Sequence, residues 1–128
     1  MKITTFDPII ITQNKEDIVK MFEELGFEKT HAPVTETENG DVPSQRMKYP
    51  DGGYHVDVAQ SPRVTHDKTY IRINVDNFQE AYDILVKHGF KNMKGDGNTL
   101  ETNHAVEATM VSPSGFVIAL VKHIKNDE

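Results

Sequence analysis

The chain has 128 residues, 27% of them charged, with a formal net charge of −6. That length supports one domain with a substantial core, and the acidic balance argues against a nucleic-acid-binding surface. Cysteine is absent, which excludes disulfides, thiolate catalysis and cysteine-based zinc sites, and no apolar run approaches the roughly 18 residues of a membrane span. The opening "MKITTFDPIII" lacks the layout of a secretory signal, so a cytoplasmic protein is expected.

The first element is "FDPIIITQ" (6–13), β-branched and extended, with Pro8 confined to an edge or a strand start. Asn14 stands where a helix N-cap belongs, and Ile18, Met21, Phe22 and Leu25 follow at helical spacing. Gly26 suits the helix end. Strands are then expected in "FEKTHAPVTET" (27–37), in "SQRMKYP" (44–50) and, after a Pro-Asp-Gly-Gly turn, in "YHVDVAQ" (54–60). The stretch "SPRVTHD" (61–67) reads as a linker.

The order then repeats. A strand at 69–75 leads to a cap at Asn77, a helix stripe of Phe78, Tyr82 and Leu85, and a helix end at Gly89. "FKNM" (90–93), the loop "KGDGN", "LETNHAVEATMV" (100–111), the turn "SPSG" and "FVIALVKH" (116–123) complete it. Residues 7–27 align with 70–90, pairing Asn14 with Asn77, Gly26 with Gly89 and Phe27 with Phe90. Residues 53–58 align with 115–120 at nearly the same offset, glycine on glycine. Two separate blocks at one spacing define an internal duplication. The fold expected is α+β, two tandem βαβββ modules at 1–60 and 68–128 within a single domain. The acidic tail "KNDE" (125–128) and the charges of "KEDIVKMFEE" read as solvated surface.

Strand alternation assigns faces. Ile71, Ile73, Val75, Val56, Val58, Ile118 and Leu120 form sets that fit a core beneath the helices. Tyr70, Arg72, Asn74, His55, Asp57, Val117, Ala119 and Val121 form the opposite sets, joined by Asp7, Ile9 and Ile11. If Tyr49 faces Tyr54 across the Pro-Asp-Gly-Gly turn, Lys48 faces His55 and Arg46 faces Asp57. Arg46, Lys48, His55 and Arg72 then form either an anion clamp anchored on Arg72 or internal ion pairs, Arg46 with Asp57 and Arg72 with Asp7, that neutralise buried charge. His88 falls at a helix end, where a cation suits the macrodipole. Asn103 and His104 are candidates for a cavity mouth. No nucleophile elbow, phosphate loop or zinc motif is present.

The segments "VKMFEELGF" and "SPSGFVIALV", set in a duplicated module, resemble the vicinal oxygen chelate superfamily, which includes glyoxalase I, extradiol dioxygenases and bleomycin resistance proteins. The resemblance covers nearly the whole chain. It implies a curled mixed sheet around a cavity with the helices outside. It also implies four metal-ligand places, one in the first and one in the last strand of each module, filled in the family's enzymes by His, Glu or Gln. Here those places fall on Asp7, Asp57, Tyr70 and Ala119. Ala119 offers no donor and Tyr70 an unusual one, so no metal or other cofactor is expected. The expected function is metal-free binding of a small, partly apolar ligand by Asp7, Arg46, Lys48, His55, Asp57, Tyr70, Arg72, Asn74 and Ala119, in a homodimer. Two alternatives stay open: a metal-dependent lyase, isomerase or dioxygenase, and an accessory domain with a vestigial pocket.

Overall fold

A computed structural model of the chain describes residues 1–37 and 40–124; the tail at 125–128 lies outside them. The first copy runs β1 (Ile3–Thr12), α1 (Lys15–Glu24), β2 (Glu28–His31), β3 (Val34–Thr37), β4 (Gly40–Tyr49) and β5 (Tyr54–Gln60). The second runs β6 (Lys68–Val75), α2 (Phe78–Lys87), β7 (Lys91–Asn92), β8 (Leu100–Glu101), β9 (Ala105–Val111) and β10 (Val117–His123). The fold is mixed α+β and repeats the βαβββ plan. One expected strand is divided in each copy. Pro33, which has no N–H to give a ladder, falls between β2 and β3. In the second copy the Thr102 hydroxyl accepts from the backbone N–H groups of His104 and Ala105, and this local turn separates β8 from β9.

By contact, the described residues separate into two compact units: Asp7–Thr69, and Met1–Phe6 with the chain from Tyr70 onward. In the Asp7–Thr69 unit the strand order is β2-β4-β5-β1, with β3 also on β4. Val19, Met47, Val56 and Val58 form its core, and Ile10, Ile18, Phe22 and Phe27 pack around them. The buried side of α1 is therefore Ile18, Val19 and Phe22. Met21 and Leu25, expected on that side, are 41% and 61% exposed. Gly26 has φ +108°, a left-handed turn that ends the helix, and a Cβ there would meet the Tyr49 ring at 2.9 Å. The Gln13 side chain donates to the Val64 carbonyl and ties down the segment expected as a linker.

In the other unit the order is β6-β10-β9-β7, with β8 also on β9. Its core joins α2 (Phe78, Ala81, Tyr82) to the strands through Val75, Ala108, Met110, Ile118 and Leu120. The Tyr82 hydroxyl donates to Asp96 Oδ1 at 3.2 Å and accepts from the Gly97 N–H at 3.1 Å, so the core holds the 94–98 loop in place. The backbone of Lys2 exchanges hydrogen bonds with Asp76: its N–H donates to Asp76 Oδ1, and its carbonyl accepts from the Asp76 N–H. The first of these bonds holds the Asp76 carboxyl below the ordinary Asp range.

The two aligned caps behave differently. Asn77 Oδ1 accepts from the Glu80 N–H at 3.1 Å, satisfying an orphan donor of α2. Asn14 makes no such bond; its Nδ2 donates to Asp17, and the Lys15 N–H turns to Gln60 Oε1. Asn77→Ala should therefore cost about 1 kcal/mol. Asn14→Ala should cost a few tenths of that, and urea denaturation of the two variants compares them directly.

Candidate functional site

In each unit the helix covers one sheet face, and the pairing registers fix what stands on the other. In the Asp7–Thr69 unit, Arg46 pairs with Asp57 and Lys48 with His55, as the turn predicts. β1 runs parallel to β5 with Ile9 opposite Asp57 and Ile11 opposite Ala59. Because paired residues point the same way, Ile9, Asp57 and Arg46 form one row, and Ile11, Ala59 and Ser44 the next. Asp7, two residues before Ile9, shares this face by alternation.

Asp7 and Asp57 are buried, at 2% and 4% exposed. Arg46 Nε lies 3.8 Å from Asp57 Oδ1, with the Arg46 side chain 31% exposed. This is the internal pair that the alternation allows, a long contact between one buried and one half-buried partner. His55 and Lys48 are exposed beside the hairpin turn, with Glu28 as the next neighbour of Lys48 across β4. They form an outer row, away from the buried carboxylate.

In the other unit, β10 lies between β6 and β9, so three residues share each row. Arg72 pairs with Ala119 and Ala119 with Thr109; Asn74 pairs with Val121 and Val121 with Glu107. Tyr70, Arg72 and Ala119 are half-buried, and Asn74 is 3% exposed. Val117 and Val111 make the next row beyond Arg72. An apolar strip along β10 thus separates polar groups on β6 from those on β9. The duplication reappears in these ladders, because the Ile9–Asp57 pair of the first copy occupies the place of Arg72–Ala119 in the second.

Thr109 and Glu107 stand on this face without having been anticipated. The signal was available: pairing across the "SPSG" turn, with Val117 opposite Val111, places Thr109 and Glu107 in the rows where they lie. His104 and Asn103 are exposed in the turn before β9, and His88 caps the end of α2. Asp7, Arg46, Asp57 and Arg72 all take part in interactions and none is a free charge.

The four places that the family resemblance assigns to a metal do not supply a ligand set. Ala119 presents a methyl group, and the Asp57 carboxylate faces the Arg46 guanidinium. Among the described residues no three His, Asp or Glu side chains are grouped to hold a metal ion. A divalent transition metal takes three or four N, O or S ligands, and these residues do not fit one.

The chain has the vicinal oxygen chelate fold. Methylmalonyl-CoA epimerase from Mycobacterium tuberculosis matches it with a TM-score of 0.72 over 96% of this chain and 90% of that one, at 10% identity. A variant methylmalonyl-CoA epimerase from Streptomyces coelicolor, in complex with 2-nitronate-propionyl-CoA, matches with a TM-score of 0.68 over 97% of this chain and all of the other, at 16% identity. Glyoxalase I from Zea mays matches with a TM-score of 0.68 over 98% of this chain and 45% of its own length, at 14% identity. At these identities the fold is what is shared. No protein-family model and no curated protein matches the sequence. No helix among the described residues is long and apolar enough to cross a membrane.

Proposed function

We propose that the chain binds a small, partly apolar anion on the Tyr70–Arg72 face of its second module, and does so without a metal. One observation carries the reading: Arg72 stands directly beside Ala119 in the β6–β10 ladder. A guanidinium next to a methyl wall presents a charged fork beside apolar surface, the pairing that a carboxylate with a hydrocarbon body needs. Arg72 already makes an interaction, but its five N–H donors leave capacity for a second acceptor. Val117, Ala119 and Val121 supply the apolar contact, and Tyr70 flanks the anion. In the first module, the Arg46–Asp57 pair serves the fold.

A metal-dependent lyase, isomerase or dioxygenase is disfavoured by the ligand places themselves. The proposal also takes the protein as a homodimer, because Ile3 and Phe6, 56% and 64% exposed, are large apolar side chains that a second copy would cover. Native mass spectrometry of purified protein tests these points together. The expected spectrum shows twice the 14.5 kDa chain mass, a co-purified small acid and no stoichiometric metal, and chelator leaves the melting temperature unchanged. Zinc, nickel, iron or manganese at full occupancy overturns the metal-free reading, and a single-chain mass at micromolar concentration overturns the dimer.

A further inference from the structure

Asn74 carries an observation that the anion site does not use. Its side chain is 3% exposed, and Oδ1 is buried with no hydrogen-bond partner among the described residues. Buried amide oxygens are almost always met by a donor. Along its row, Val121 stands beside Asn74 and Glu107 beside Val121. Adjacent strands are about 4.8 Å apart, so Asn74 and Glu107 leave the sheet about 10 Å from each other with a valine between them. The Glu107 carboxylate is half-buried and makes no hydrogen bond or ion pair among the described residues. Two acceptors flanking one apolar side chain cannot satisfy each other; the buried amide oxygen calls for a donor, and the half-buried carboxylate beside it can share one. The row runs from the buried amide to the more open carboxylate on β9.

The next row along the same strands is Arg72, Ala119 and Thr109. Two residues of strand separate the rows, about 6.6 Å. One face therefore places a cation at one level and paired acceptors at the next, with Ala119 and Val121 as the floor between.

We propose that the Asn74–Val121–Glu107 row is an ammonium subsite, and that the ligand is a linear amino acid whose amine lies some five bonds from its carboxylate. The carboxylate takes Arg72, the methylene chain lies over Ala119 and Val121, and the ammonium donates to Asn74 Oδ1 and the Glu107 carboxylate. The inference rests on the anion site proposed above and adds the second charge of the ligand.

The test compares 5-aminopentanoate with pentanoate, by titration followed in protein NMR spectra. The expected result is tighter binding of the amino acid by tenfold or more. Glu107→Gln and Asn74→Leu should each remove most of that advantage, and Glu107→Gln should leave the affinity for pentanoate as it was. Asn74→Leu should melt no lower than the parent, because an apolar side chain of similar shape removes the unmet oxygen; a clear fall would assign Asn74 to the fold and overturn the subsite. Equal affinity for the two probes overturns the ammonium subsite and leaves the anion site standing. Absence of binding by either probe overturns both.

Discussion

Arg46→Met should lower the melting temperature by roughly 3–8 °C, the equivalent of about 1–2 kcal/mol in a domain of this size. The reason is what remains behind. Asp57 is 4% exposed, and without the guanidinium its charge stays buried with less compensation. Breaking a fully buried pair costs about 3–5 kcal/mol. The smaller figure applies here because Arg46 Nε is 3.8 Å from the carboxylate and its side chain is 31% exposed, so solvent screens part of the contact. Joining Asp57→Leu to Arg46→Met should recover most of the loss, since replacing both charges by apolar groups removes the desolvation cost as well as the attraction. A double-mutant cycle on thermal unfolding measures the coupling. If Arg46→Met melts with the parent, the pair does not hold the fold, and Arg46 and Asp57 return as candidates for a ligand.

The Arg46–Asp57 pair also shows how much of the molecule was legible in the sequence. A tight turn fixes the register of its hairpin, and a register fixes every side chain's face, so the Pro-Asp-Gly-Gly turn gave Lys48–His55 and Arg46–Asp57 directly. The duplication gave the order of elements. Helical periodicity was a weaker guide. Apolar residues lie on more than one side of α1, and the strands beneath choose between them: Met47, Val56 and Val58 meet Val19 and leave Met21 and Leu25 in solvent. The caps show the same limit, since Asn14 and Asn77 occupy equivalent places but only Asn77 bonds to its helix. Glu107 and Thr109 follow from the same register rule at the "SPSG" turn, where Val117 opposite Val111 sets their rows. The interruptions at Pro33 and at Thr102 come from a missing donor and a side-chain hydrogen bond, local chemistry that a reading by alternation passes over.

The substitution with the largest expected effect on binding is Arg72→Met, which keeps side-chain length and removes the charge. A hydrogen bond to a charged group in a partly desolvated site is worth about 1.5–3 kcal/mol, so affinity for a small carboxylate such as pentanoate should fall on the order of ten- to a hundredfold. Arg72 is half-buried beside Ala119, where no neighbouring polar side chain on β10 can take over the anion. Lysine is an informative second variant. Arg72→Lys keeps the charge but loses the planar fork, so it should restore only part of the affinity. Melting temperature and affinity must be read on the same variants, because Arg72 is engaged within the protein as well. If its task is only to neutralise a buried carboxylate, Arg72→Met will lower the melting temperature while the folded fraction binds pentanoate as tightly as the parent. That outcome would remove the anion site and leave Arg72 as part of the fold. A fall in affinity that lysine partly reverses, at a melting temperature close to the parent's, is the result expected of a guanidinium whose open donors face a ligand.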